Sequence, residues 1–217
     1  MKDYNEDYFL LYAGGVNFPA LTFIGPNQTS NMFKFFKDIA IDDQMVILVG
    51  FADPVPRNPK MADAHSMASN NVISSRIKYV LEGFQLKNVQ FVPALVHDQY
   101  EEHIENGHYH IPHIYNLIRC VDTAKSTYRD KSKHADIPVY DIKKLVLDNR
   151  VLDKIPLEER LVFGLREQRS RRVYHRSVVE KILELEPTGV AFYQLSTYHE
   201  GKPFQTGFLD YILNSED

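Results

Sequence analysis

The sequence predicts an α+β protein: mixed, mainly antiparallel sheets with a few packed helices. Short runs of β-branched and aromatic residues recur along the chain, each bounded by Gly, Pro or a polar turn. Few stretches repeat their apolar residues at helical spacing. Strand-like and helix-like segments also follow one another without the regular alternation that builds a doubly wound parallel sheet.

Taken in order, Asp7-Tyr8-Phe9-Leu10-Leu11-Tyr12 is apolar and aromatic and stops at Ala13-Gly14-Gly15, as a first strand ended by a turn would. Pro19, Gly25 and Pro26 break the next stretch. Met32, Phe33, Phe36 and Ile39 then follow the cap-like Thr29-Ser30-Asn31 at a spacing that lines one face of a short helix. Met45-Val46-Ile47-Leu48-Val49 is a continuous apolar run, the pattern of a strand covered on both faces. Asp53 to Met61 holds Pro54, Pro56 and Pro59, each lacking a backbone donor, and reads as an extended loop and a linker. It divides the chain into an N-terminal α+β portion over residues 1–60 and a longer portion over 61–217, read as one compact unit.

Ile73, Ile77, Val80, Leu81 and Phe84 fall on one stripe of an amphipathic helix that begins near Ser69 or Asn70. Val89-Gln90-Phe91-Val92 alternates into Pro93, and His108 to Val121 is a long β-type stretch interrupted at Pro112. Ile137-Pro138-Val139-Tyr140, Lys144-Leu145-Val146-Leu147 and Leu161-Val162-Phe163-Gly164-Leu165 are further strands. Ser177-Val178-Val179-Glu180 has the form of a capping box, and Ile182 and Leu183 continue its helix until Pro187. Thr188-Gly189 then turns the chain into a strand over Val190-Ala191-Phe192-Tyr193.

With 217 residues, 44% hydrophobic and 12% aromatic, the chain can bury a full core, which excludes disorder throughout. Lys plus Arg number 25 against 29 for Asp plus Glu, a net charge of -4, so no global field grips phosphates and a nucleic-acid partner is disfavoured. One Cys supports neither an internal disulfide nor a Cys-rich zinc site. The first seven residues carry acids where a secretion signal carries a basic lead. The longest apolar stretch, Met45 to Phe51, is far shorter than the roughly 20 residues that cross a bilayer. The expectation is a soluble, cytoplasmic protein with no membrane partner.

Four groups of residues could carry chemistry. His97, His103, His108, His110 and His113 lie among Asp98, Glu101, Glu102 and Glu105, and on a strand His108 and His110 share a side and could reach one cation. Their spacing matches no standard metal motif, so a solvated hairpin is the preferred reading and no metal residue is assigned. Cys120 sits in Ile118-Arg119-Cys120-Val121, where a buried inert thiol is expected. G-x-S-x-G is absent, Gly14-Gly15 lacks the rest of a phosphate loop, and Glu101-Glu102 and Glu158-Glu159 are adjacent, which points the carboxylates of each pair apart. No catalytic residue and no cofactor is therefore expected. Arg166, Arg169, Arg171, Arg172 and Arg176, with Tyr174 and His175 among them, form the one strong basic cluster. Guanidinium forks suit phosphate and carboxylate alike, which makes Arg169, Arg171, Arg172 and Tyr174 candidate partner-binding residues on an exposed turn.

The stretch Tyr115-Asn116-Leu117-Ile118-Arg119-Cys120-Val121-Asp122-Thr123-Ala124-Lys125-Ser126 resembles the Myxococcus-type immunity-protein family of bacterial polymorphic-toxin and type VI secretion systems, or a sister immunity family. In that family a strand bearing an Asn leads to a V-D-x-x-x-S segment. The neighbouring segments follow in the family's order, from the helix before Val89-Gln90-Phe91-Val92-Pro93 to Thr188-Gly189-Val190-Ala191-Phe192, so the likeness covers roughly residues 70 to 195. The His-rich hairpin and the Arg-rich turn depart from the family's usual look.

The resemblance implies a non-enzymatic protein that binds a cognate toxin, encoded next to it, and neutralises it, often by occluding the active site. Its motif residues Asn116, Asp122, Ser126, Gly189 and Phe192 read as structural: Asn and Ser fix turns through local backbone bonds, and Gly189 suits a positive φ after a helix. The rival expectations are a metal-dependent hydrolase built on the His97 to His113 group and a small RNA-contacting module built on the arginines.

Overall fold

Alternation along the strands sorts the apolar residues into three cores, one inside a curled six-stranded sheet and one on each face of a five-stranded sheet. The computed structural model describes residues 3–14, 18–25, 34–56, 59–68, 70–97, 109–130 and 140–199. In the five-stranded sheet, β1 (Tyr8–Ala13) lies between β13 (Val190–Gln194) and β12 (Arg172–His175), which is followed by β11 (Val162–Leu165) and β8 (Leu117–Ile118). All its pairings are antiparallel except β11 with β8.

The six-stranded sheet runs in the order β2 (Leu21–Phe23), β3 (Ile47–Phe51), β6 (Val89–Val96), β7 (Tyr109–Ile114), β5 (Asn70–Ser74) and β4 (Ala64–Met67). Only β3 with β6 is parallel. The two edges, β2 and β4, come together, so the sheet curls into a near-barrel. A bond of 2.8 Å between His65 Nδ1 and the Pro19 carbonyl spans that seam. Leu21, Ile47, Val49, Val72, Val96 and Ile111 fill the interior, with Phe35 packed among them. Strands from before and after residue 60 are hydrogen-bonded to one another in both large sheets.

Helices α1 (Ser75–Glu82) and α3 (Arg176–Leu183) fill the space between the outer face of the near-barrel and one face of the five-stranded sheet. Each has eight residues, below the 12–15 that an isolated helix needs in water. Burial of Ile77 and Leu81 on α1, and of Val178, Val179 and Ile182 on α3, therefore holds them, at roughly 1.5–3 kcal/mol per side chain. The opposite face of the five-stranded sheet carries Tyr8, Leu10, Phe163 and Val173. It is covered by the pair β9 (Thr127–Asp130) and β10 (Tyr140–Lys144) and by the short α2 (Asn149–Leu152), whose N-terminus is capped by Asp148.

Several expectations are corrected. The helix expected from Ser69 or Asn70 starts at Ser75, and Asn70–Ser74 is strand β5. Ile73 fits the helical spacing because it faces the same core as Ile77 from the strand before it. The Ser177 capping box does not form. His175 is the N-cap, its ring Nδ1 accepting from the Ser177 N–H at 3.2 Å. Strand β3 is covered on one face only: Leu48 and its register partner Leu95 are 37% and 39% exposed on the outer face of the near-barrel.

His108 to Val121 divides into β7 and β8, which belong to different sheets. At Pro112 only the β6 side of β7 is paired, since β5 reaches no further than Tyr109 and His110, so the missing amide donor leaves no gap on the other side. Lys144 ends β10, and Leu147 makes only an isolated bridge to Val121. Of the helix expected after Thr29-Ser30-Asn31, the cap residues and Met32 and Phe33 lie outside the described residues. Beyond them Phe35 is buried and Ile39 is 58% exposed, so no single apolar stripe continues. Ile137, Pro138 and Val139 also lie outside the described residues. No helix among the described residues is long and apolar enough to cross a membrane.

Candidate ligand and partner sites

The histidines do not converge. His110 and His113 are three residues apart on β7 and point to opposite sides of the strand. His113 is fully buried, stacks on Tyr115, and its Nε2 donates to the Ile39 carbonyl at 2.8 Å. Burial, and then the nearby Arg172 charge, hold its pKa below the usual imidazole range. The His97 amide donates to the Val49 carbonyl at the end of β6. His103, His108, Asp98, Glu101, Glu102 and Glu105 lie outside the described residues. Among the described residues no group of three or more His, Cys, Asp or Glu is placed to hold a metal ion.

Cys120 and His65 are also enclosed. Cys120 is buried, and burial, reinforced by Glu167 and Asp148, pushes its thiol well above the ordinary range, away from a thiolate nucleophile. The buried His65 was missed by sequence reasoning. Its Nε2 accepts from the Ala62 N–H at 2.9 Å, so Nδ1 carries the proton and donates to Pro19, and burial keeps the ring neutral.

The motif residues bond to backbone. Asn116 Nδ2 donates to the carbonyls of Glu159 and Val162 at 2.8 and 3.3 Å, and the Asn116 carbonyl accepts from the Gly164 N–H at 2.8 Å. Asp122 Oδ1 accepts from the Ala124 N–H at 3.1 Å, closing an Asx-type turn. Ser126 Oγ donates to the Val146 carbonyl at 3.2 Å and accepts from the Val146 N–H at 2.9 Å, pinning the segment between β10 and α2. Gly189 has φ +68°, and an added Cβ would lie 2.5 Å from the Ala64 carbonyl oxygen. Phe192 is core, set edge-on to Tyr174.

Instead of an exposed basic turn, the arginines tie segments together. Arg169 Nη1 donates to the Phe36 carbonyl at 2.6 Å. Arg171 Nη1 donates to the hydroxyls of Tyr12 and Tyr198 at 2.8 and 3.2 Å. Tyr174 is buried between the sheet and the helices, which corrects its expected place on the surface. Arg171 and Arg172 line a cavity of about 310 Å³ between the five-stranded sheet and the near-barrel, bordered by Tyr12, Ser66, Asn70 and Ser170. Arg172 Nη2 donates to the Phe35 carbonyl at 3.4 Å, and burial brings its pKa down to about 10.

No sequence signal marks Asp63, a densely hydrogen-bonded residue. Asp63 is buried and accepts from Ser74 Oγ at 2.8 Å, from Arg76 Nη1 at 3.2 and 3.1 Å, and from the Thr188 N–H at 3.0 Å. Arg76 Nη2 continues to the Leu185 carbonyl at 2.7 Å. Its partners range from 11 to 125 residues away, so no local spacing marks it.

On the outer face of the near-barrel, Phe91, Pro93 and Leu95 follow one another along β6, with Leu48 beside Leu95. Asp42, Asp43, Lys78 and Glu82 border a groove of about 320 Å³ against Phe91 and Pro93. Lys78 Nζ lies 5.1 and 5.8 Å from the ring centres of Tyr79 and Phe91.

No curated protein matches the chain. The profile of the Immunity protein family (Imm11) matches residues 49–197, from inside β3 to just past β13. That stretch is more than half of the chain and contains the motif residues and most of both large sheets, and the protein belongs to this immunity protein family.

Proposed function

We propose that the protein neutralises a bacterial toxin by binding it, performs no reaction of its own, and acts in the cytoplasm on a toxin encoded by the adjacent gene. Family membership over residues 49–197 carries this reading. The motif residues Asn116, Asp122, Ser126, Gly189 and Phe192 serve it indirectly, by holding the sheets in register. The docking face we assign is the outer side of the near-barrel, where Leu48 and Leu95 are exposed side by side and Tyr79 stands 69% exposed on α1. Apolar and aromatic centres with a charged rim are the common anatomy of tight protein interfaces. The border of Asp42, Asp43 and Glu82 suits a toxin surface of basic character. Arg169 and Arg171 have hydrogen bonds within the chain and contribute by shaping the fold.

Co-expression with the adjacent gene's product tests the reading. Growth should be restored by the native protein and lost with the double variant Leu48→Glu and Leu95→Glu, which leaves the cores intact. A product equally toxic with and without the native protein overturns the function, and protection by the double variant equal to native overturns the face.

A further inference from the structure

We propose that the cavity between the five-stranded sheet and the near-barrel is a binding site for a small oxyanion, a carboxylate or phosphate group held by Arg172 and Asn70. The cavity holds about 310 Å³ and is lined by two arginines, and among the described residues no Asp or Glu lines it. In a chain of net charge -4 this concentration of positive charge is local and uncompensated. Arg171 is satisfied by two phenol oxygens, but Arg172 is not. Its Nη2 has one long bond to a backbone carbonyl, and its Nη1 is buried with no acceptor.

Asn70 Nδ2, on the same lining, is also a buried donor with no acceptor. Buried donors require partners, and a guanidinium taken out of water requires an anionic one. Gly164 on β11 is the register partner of Arg172: a Cβ on it would sit 2.7 Å from Leu117 Cδ2 and 3.4 Å from Nη1, so only a residue without a Cβ fits beneath the guanidinium. A planar guanidinium edge and an amide suit the oxygens of a carboxylate or phosphate. The volume, at the lower end for ligand pockets, suits a small acid or phosphate compound. Ser66, Ser170 and Gln168 supply polar groups for the rest of the ligand.

The site exists without a toxin, so the isolated full-length protein tests it and the result is separate from the immunity reading. Inorganic phosphate and succinate are titrated in separate arms at constant ionic strength set with sodium chloride, reading heat of binding and thermal midpoint. A saturable upward shift of about 5 °C in at least one arm is expected, and the responding arm identifies the ligand chemistry. Arg172→Met should abolish the response, and Asn70→Ala should weaken binding about fivefold while leaving the fold in place. The proposal is overturned if the native protein shows no saturable response in either arm, or if both variants respond as the native protein does.

Discussion

Asp63 and Thr188 hold each other through both backbone and side chain. The Asp63 N–H donates to the Thr188 carbonyl and to its Oγ1 at 3.0 and 3.1 Å, while the Thr188 N–H and hydroxyl donate to Asp63 Oδ2 at 3.0 and 3.2 Å. Asp63 leads into β4 of the near-barrel and Thr188 leads into β13 of the other sheet, so this pair is one of the places where the two sheets are joined.

Replacing Asp63 with Ala leaves the Thr188 amide, Ser74 Oγ and one side of Arg76 without their acceptor. The expected loss is about 2–4 kcal/mol of stability, read as a lower urea midpoint. Asn at this position, which keeps one acceptor oxygen, should lose less.

Gly189→Ala should be more damaging than its size suggests. A positive φ is strained for Ala, and the new methyl would press on the Ala64 carbonyl and on Ala62 Cβ, 2.7 Å away. A loss of about 3 kcal/mol or more, or failure to accumulate as folded protein, is expected in denaturation measurements.

Acid should weaken the fold through His65 and His113. Both have pKa values lowered by burial, so the unfolded chain takes up their protons first. Their stability is present above about pH 6.5 and is lost as pH falls through the folded-state values. Glu167, whose pKa burial raises, works in the opposite sense as pH falls toward 4.5. His113→Gln, which can still donate to Ile39, should flatten the decline in urea midpoint between pH 7 and pH 5. An unchanged slope would mean that His113 protonates freely in the folded protein.

Alkali acts through the tyrosines. Burial pushes Tyr8, Tyr109, Tyr174 and Tyr198 up to about 12, so between pH 10 and pH 12 the unfolded chain loses protons that the folded one keeps, and stability falls. Arg172, brought down to about 10, contributes in the opposite direction over the range above its folded value, but it is one group against four. The part of the tyrosinate absorbance contributed by these four of the thirteen tyrosines should therefore rise together with loss of structure, and replacing Tyr174 with Phe should reduce that late part.

The parts of the fold written in contiguous residues were legible. Strands β1, β11 and β13 and helix α3 each carry their own apolar pattern. Strands β4 and β5 do not, because Ala64-His65-Ser66-Met67 and Asn70-Asn71 are largely polar and become strands through the pairing that curls the barrel. In the sequence alone the arginine cluster reads as an exposed turn, because guanidinium groups are mostly solvated. Its acceptors, the Phe36 carbonyl and the hydroxyls of Tyr12 and Tyr198, come from distant segments that no local pattern connects. Asn116, Asp122 and Ser126 were found through their resemblance to a family pattern, and their backbone bonds explain why those residue types stand there.

Strand β1 separates β13 from β12, and it lies more than thirty residues before the point where the family profile begins. A fragment excised at residue 49 would keep both neighbours of that strand and lose the one element that bridges them. The stretch that identifies the family is thus shorter than the stretch that completes the sheet, and trimming to it should leave two strand edges open, read as a loss of soluble expression.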